Sequence, residues 1–271
     1  MKCAAEVAPK IGFLIYDEVH RFPAPTFLET VRHFDCSYML GLSATHRRRD
    51  GLEPLIYWHV GPLVYEMSQG LLVRGGDLIP VEPIIRKTTF VPSPGIDPTW
   101  QRTLLIDELC SDEKRNSLIV GDIIKESGNG PCIVLTDRKA HADRLTKMLV
   151  RLGVDAEVCH GDVPRREQAR IIRDLDEGRL RILVATGQLL GEGFDCQGLT
   201  TLFLTTPIKF SGRLIQYLGR VARTASGKTS ARVYDYHDIN VPILMKAAKE
   251  RLRTYNKLAK QTQGPTPVKG K

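Results

Sequence analysis

From residue 132 to residue 260 the chain alternates short apolar runs with longer amphipathic stretches at an even spacing. The apolar runs are Cys132–Thr136, Ala156–Cys159, Ile182–Ala185, Thr201–Leu204 and Ala231–Asp235. Helical patterns lie between and after them, at Lys139–Leu152, Pro164–Glu177, around Gln216–Arg223 and at Val241–Lys260. Runs this short and this apolar read as strands buried on both faces, which a parallel sheet demands. Strand and helix in alternation imply βαβ units with right-handed crossovers, hence an α/β fold with helices on both faces of a parallel sheet.

The same grammar begins earlier and is then interrupted. Ile11–Tyr16 reads as a strand that stops at Asp17-Glu-Val-His20, and Pro23–Phe34 holds a helix with Thr26 as its cap. A second strand, Tyr38–Leu42, stops at Ser43-Ala-Thr45 and is followed by the basic cluster His46–Arg49. From Leu52 to Pro98 the pattern is irregular and rich in Gly and Pro. Val60–Tyr65 and Leu78–Ile85 read there as edge strands or connecting arms, since proline is poorly tolerated in central strands. Asp97–Glu126 reads as helical, broken by Ser127-Gly-Asn-Gly-Pro131. The expected organisation is a partial first domain with its arm over 1–95, a complete second domain over 96–240, and a C-terminal helix with a disordered basic tail over 241–271.

Composition excludes several classes. With 271 residues, 42% of them hydrophobic and 26% charged, the chain has room for about two globular domains. No apolar run approaches the ~20 residues of a membrane span, and Met1–Glu6 has no signal-peptide core. Six cysteines stand far apart with no C-x-x-C pair, so buried thiols in a reducing, cytoplasmic setting are expected over metal ligands. A formal charge of +8 points to a polyanionic partner, although part of it sits in Lys246–Lys271.

Three stretches carry chemistry. Asp17 and Glu18, at the carboxyl end of a buried strand, suit metal-assisted nucleotide hydrolysis, with Asp17 holding Mg2+ through water and Glu18 activating the attacking water. The same pair also suits a helix cap or a solvated turn. Thr186-Gly187 through Gly191-Glu-Gly-Phe-Asp195 is a loop able to give amide N–H groups to phosphates, or simply a tight turn. Gln216-Tyr-Leu-Gly-Arg-Val-Ala-Arg223 places Arg220 and Arg223 three residues apart, on one side of a helix. Two guanidinium groups there fit a phosphoryl group in transfer, or a solvated basic face. No G-x-x-x-x-G-K-[ST] phosphate loop occurs in the sequence.

In this order the stretches resemble the superfamily-two helicases and translocases of the DExH type. The matching residues are D-E-V-H (Asp17–His20), S-A-T (Ser43–Thr45), the strand end at Thr136, A-T-x-x-x-x-x-E-G-F-D (Ala185–Asp195) and Q-x-x-G-R-x-x-R (Gln216–Arg223). Gly41-Leu-Ser-Ala-Thr45 with Asp50-Gly-Leu52 and Gly61-Pro-Leu-Val-Tyr65 is similar to the branch of XPB-like, UvsW-like and restriction-endonuclease-type DNA translocases. The resemblance covers about residues 11–238 and implies RecA-like domains, ATP and Mg2+.

By the same resemblance, Asp17 and Glu18 are the metal and water acids, and His20 couples nucleotide to the second domain. Ser43, Ala44 and Thr45 link hydrolysis to domain movement. Arg220 and Arg223 act as arginine fingers with Gln216 beside them, Gly191 and Gly193 meet the nucleotide, and Asp195 lies near the ribose. Thr136, Arg138, His160, Gly161 and Thr186 lie along the nucleic-acid backbone. Backbone contacts do not separate DNA from RNA; the branch favours DNA.

Two departures stand out. His46 replaces the proline usual after S-A-T, and the first domain lacks its opening half with the phosphate loop. The chain is therefore expected to hydrolyse ATP poorly alone, with a second polypeptide as a source of the missing half. The alternative expectation is a non-catalytic nucleic-acid-binding or regulatory module of helicase-like fold.

Overall fold

The computed structural model describes residues 6–22, 25–43, 51–67, 69–187, 194, 196–208 and 211–263. The chain divides into two compact units, Met1–Met67 and Ser68–Lys271.

In the first unit, strand β1 (Phe13–Tyr16) pairs in parallel with β2 (Tyr38–Gly41), Phe13 opposite Tyr38 and Tyr16 opposite Gly41. Helix α1 (Pro25–Val31) connects them. Helix α2 (Glu53–Val60) occupies part of the stretch expected to be irregular. Its proline falls at the first turn, where the missing N–H costs nothing, so it starts the helix rather than breaking it. Val19, Phe22, Val31 and Ile56 form a small core, with the Tyr16 ring edge-on to Phe22 at 5.5 Å.

The second unit is built on a six-stranded parallel sheet. Its strands are β3 (Val81–Thr88), β4 (Cys132–Thr136), β5 (Ala156–Cys159), β6 (Ile182–Thr186), β7 (Thr201–Leu204) and β8 (Ala231–Asp238), in the order β3-β8-β7-β4-β6-β5. Successive strand residues point to opposite faces, and two apolar cores result. Ile133, Leu135, Leu183, Leu202 and Val233 pack against helices α7 (Arg165–Asp176), α8 (Ser211–Val221) and α9 (Pro242–Gln263). Val134, Val184, Phe203 and Tyr234 pack on the other face against α5 (Glu113–Glu126) and α6 (Lys139–Arg151). The parallel α/β architecture read from the alternation is thus present, with helices on both faces.

Three local readings are sharpened or changed. Of the two readings of Leu78–Ile85 the edge strand is the one found: β3 pairs residue for residue with β8, and Pro83 is tolerated because β3 lies at the sheet edge. Asp97–Glu126 is not one helix but α4 (Arg102–Ser111) and α5, separated by Asp112 in an extended conformation. The Asp112 carboxylate accepts the Arg115 N–H at 2.6 Å and caps α5. A further helix, α3 (Gln69–Gly75), lies against α9. Among the described residues no helix is long and apolar enough to cross a membrane.

Candidate functional site

The acids follow β1 directly. Asp17 is exposed on the turn, and its Oδ1 accepts the backbone N–H of Glu18 at 2.8 Å. Glu18 has φ 53°, the one non-glycine residue with a left-handed backbone among those described. Such a conformation strains a residue that carries a side chain, and surrounding contacts must hold it. Those contacts run to β2: Val19 N–H donates to Leu42 O at 2.8 Å, and His20 Nδ1 lies 3.0 Å from Ser43 Oγ and 3.1 Å from Glu18 Oε2. His20 therefore joins the D-E-V-H turn to the start of the S-A-T stretch. Gly41 suits this closeness, since a Cβ there would crowd Val19 Cγ2 at 3.0 Å. Ala44 and Thr45 lie outside the described residues.

The second unit presents its candidates at the carboxyl ends of adjacent strands, where ligands bind in open α/β sheets. Thr136 and Thr186 are register partners at the ends of β4 and β6. They are not equivalent. Thr186 is partly exposed, whereas Thr136 is buried and its Oγ1 sits 2.8 Å from His141 Nδ1. Asn116 turns its amide to Cys110 O at 3.0 Å and so offers Oδ1 to His141 Nε2 at 2.9 Å. His141 then donates through Nε2 and accepts the Thr136 hydroxyl proton at Nδ1. Burial, helped by Arg115 and Arg144, depresses His141 to about 3, so it is neutral in this chain of bonds. Thr136 Oγ1 also accepts the Arg138 N–H at 3.3 Å. Thr136 therefore anchors the loop that carries Asp137 and Arg138.

Arg138 pairs with Asp107 at 2.5 Å and remains partly exposed. His160, just past β5, accepts the Asp162 N–H at Nδ1 (3.3 Å) and faces Asp143 through Nε2 at 3.4 Å. Gly161 beside it is exposed. These groups form a partly exposed polar row after β4, β5 and β6.

Between the ends of β4, β6 and β7 lies a cavity of about 230 Å³, lined by Arg102, Asp137, Gly187, Thr206, Arg213 and Tyr217 among others. Burial raises the Asp137 carboxyl, against the pull of Arg213, Arg138 and Arg102. Burial lowers Arg102. Tyr217 donates to Gly187 O at 3.0 Å. None of Arg102, Asp137, Arg213 and Tyr217 stood out in the sequence. The one usable signal was Asp137, which directly follows an apolar strand.

The arginine stretch departs from the expected face of a helix. Arg220 lies in the last turn of α8, and Arg223 lies beyond its end, in an antiparallel bridge with Leu78. The two are therefore not helical i, i+3 neighbours. Arg220 Nη1 donates to the carbonyl of Phe194 at 2.6 Å, which ties the end of α8 to the loop after β6. Gln216 is half-buried on the same helix, and Arg223 is exposed. Gly191, Gly193 and Asp195 lie outside the described residues. Four of the cysteines, Cys110, Cys132, Cys159 and Cys196, are buried thiols.

Residues 113–225 match the helicase conserved C-terminal domain. A protein of Sulfolobus islandicus filamentous virus (isolate Iceland/Hveragerdi) that carries the name helicase 22 is 28% identical over 249 residues, 86% of this chain and 44% of the relative. The DNA 3'-5' helicase XPB of Kineococcus radiotolerans is 27% identical over 227 residues, 82% of this chain and 39% of the relative. The chain thus spans less than half the length of these two relatives. A structure of S. cerevisiae Dbp5 bound to RNA and ADP BeF3 superposes with a TM-score of 0.62 at 13% identity, covering 96% of this chain and 68% of that one. The fold is accordingly that of the RecA-like helicase domains.

Proposed function

We infer that this chain, whose residues 113–225 match the helicase conserved C-terminal domain, is part of a superfamily-two ATP-dependent helicase or translocase coupling hydrolysis to movement on nucleic acid. The observation that carries the reading is the bond from Arg220 to the Phe194 carbonyl. It joins Q-x-x-G-R-x-x-R to A-T-x-x-x-x-x-E-G-F-D, so two ordered motifs act as one element.

In this reading Asp17 holds Mg2+ through water and Glu18 orients and deprotonates the attacking water. Mg2+ neutralises charge on the phosphates and keeps most of its waters, so one or two carboxylates suffice to hold it. Exposed Asp17, a carboxylate open to water, fits that demand. Arg220 and Arg223 stabilise charge on the transferring phosphoryl group, with Gln216 beside them. Gly191, Gly193 and Asp195 serve the phosphates and ribose, and His20, Ser43, Ala44 and Thr45 couple the acids to movement. Arg138, His160, Gly161 and Thr186 meet the nucleic-acid backbone directly, and Thr136 acts through the loop it anchors. The +8 charge supports an electrostatic, salt-sensitive contact. DNA is the favoured partner. Without a G-x-x-x-x-G-K-[ST] stretch in its sequence, the chain alone turns ATP over slowly, and a polypeptide bringing such a loop restores the rate.

The test is ATP hydrolysis by this chain and by one extended upstream through a phosphate loop, each with and without double-stranded DNA. The extended chain is expected to turn over, and Arg223→Ala to cost about 10³- to 10⁵-fold in kcat, the usual worth of an arginine finger. DNA binding without turnover by either chain would replace this reading with a non-catalytic binding module.

A further inference from the structure

The loop that carries Arg223 is held from several directions, and one side chain does most of the holding. Lys228 Nζ donates to Val221 O at 2.6 Å, to Arg223 O at 2.7 Å and, more weakly, to Gln197 O at 3.4 Å. Val221 is the last residue of α8, and its carbonyl is among those a helix end leaves without an intrahelical partner. A cation at this end also meets the negative pole of the helix. The chain returns to make the clamp: Gly227 takes φ +75°, and Lys228 N–H donates to Ala225 O at 3.1 Å. On the other side, Ile79 N–H donates to Ala222 O at 2.7 Å and Leu78 bridges Arg223.

We propose that Lys228 is the positioning residue of the arginine loop, fixing the backbone from which Arg223 projects and joining it to the segment at Gln197. The consequence for phosphoryl transfer rests on the function proposed above; the clamp itself does not. A lysine serving only to fill space would bury its stem and send its ammonium to water. Here the ammonium is turned inward onto three carbonyls drawn from two separate segments. Burial holds Lys228 down to about 8, as expected of an ammonium taken out of water. Its neighbour Cys196 is pushed up to about 12 by burial, so no thiolate competes for it at neutral pH.

Two measurements on the full chain separate the clamp from its function. The first is amide hydrogen exchange without nucleotide. Lys228→Met is expected to speed exchange at Ile79, Ala222 and Lys228 roughly 10- to 100-fold, as for loss of charge-assisted hydrogen bonds, and Lys228→Arg to restore protection. Unchanged exchange in Lys228→Met overturns the clamp. The second is the preference for ADP·BeF3 over ADP, with Mg2+ and double-stranded DNA present. Lys228→Met and Arg223→Ala are expected to lose that preference to a similar extent, roughly tenfold, with ADP binding unchanged and Lys228→Arg near wild type. Loss in Arg223→Ala but not in Lys228→Met overturns the positioning role and leaves the function standing. No loss in Arg223→Ala overturns the function and the consequence for phosphoryl transfer, while the exchange result alone decides the clamp. Should Lys228→Met unfold, Lys228→Gln, with one amide donor group in place of the ammonium, carries the same comparison.

Discussion

The two units of this molecule bury their sheets to different degrees. In the second, residues on both faces of β4, β6 and β7 are inaccessible, and helices cover each side. In the first, a two-stranded sheet leaves Phe13 (53%), Ile15 (54%) and Tyr38 (71%) exposed on adjacent strands. Burial stabilises at roughly 25 cal/mol per Å² of apolar surface, and a two-stranded ribbon has little to bury. The same β-α grammar therefore yields a cooperative core in one unit and an under-covered sheet in the other. The residues proposed for catalysis stand on both: the acids on the thinner unit, the arginines on the thicker one.

Amide exchange gives the sharpest way to break this comparison. Amides of β4 and β6 are expected to exchange at least about a thousandfold more slowly than those of β1 and β2, because local opening costs less where few apolar contacts close over the strand. Equal protection in both units of a verified monomer would remove the contrast.

The next effect tests what locks the thicker unit. Arg115 and Asp238, each with a side chain 1% exposed, pair at 2.8 Å. Thr88 adds a bond to the same Asp238 oxygen at 2.6 Å, and the Tyr236 ring lies 5.8 Å from the guanidinium. Arg115→Met leaves a buried carboxylate without its paired cation and is expected to cost about 3–5 kcal/mol in chemical denaturation. A loss under about 1 kcal/mol would mean that water or another cation reaches Asp238.

A pH effect belongs to the thicker unit. His141 is held down to about 3 in the folded chain, against an ordinary value of 6.5. The unfolded chain takes up this proton first as pH falls, so the contribution of His141 is complete above pH 6.5 and is lost progressively toward pH 3. The slope is at most about 1.4 kcal/mol per pH unit. Stability followed against pH should show that slope in the wild type and a shallower one in His141→Gln.

The smallest expected change is on the exposed sheet face. Ile15→Ser should alter stability by under about 0.5 kcal/mol in chemical denaturation. The equivalent change at Val184, fully buried, should unfold the second unit at ordinary temperature.

Much of this protein was legible in its sequence. Strand and helix alternation, the parallel sheet, and the positions of Asp17, Glu18 and His20 at a strand end all follow from local periodicity and from where apolar runs stop. Such signals depend on residues two to four apart, which the backbone brings together whatever the fold. The break at Asp112 was missed because an aspartate can sit inside a helical pattern as readily as cap one. Tertiary structure decided the rest. It buried Thr136 against His141, took Arg223 off the helix into a bridge with Leu78, gathered Arg102, Asp137 and Arg213 around one cavity, and turned Lys228 onto the carbonyls of Val221 and Arg223. Each of these joins segments of no shared periodicity. A side chain's hydrogen-bond partners are set by which buried carbonyls and hydroxyls need satisfying where the segments meet, and that is known only once the chain has packed.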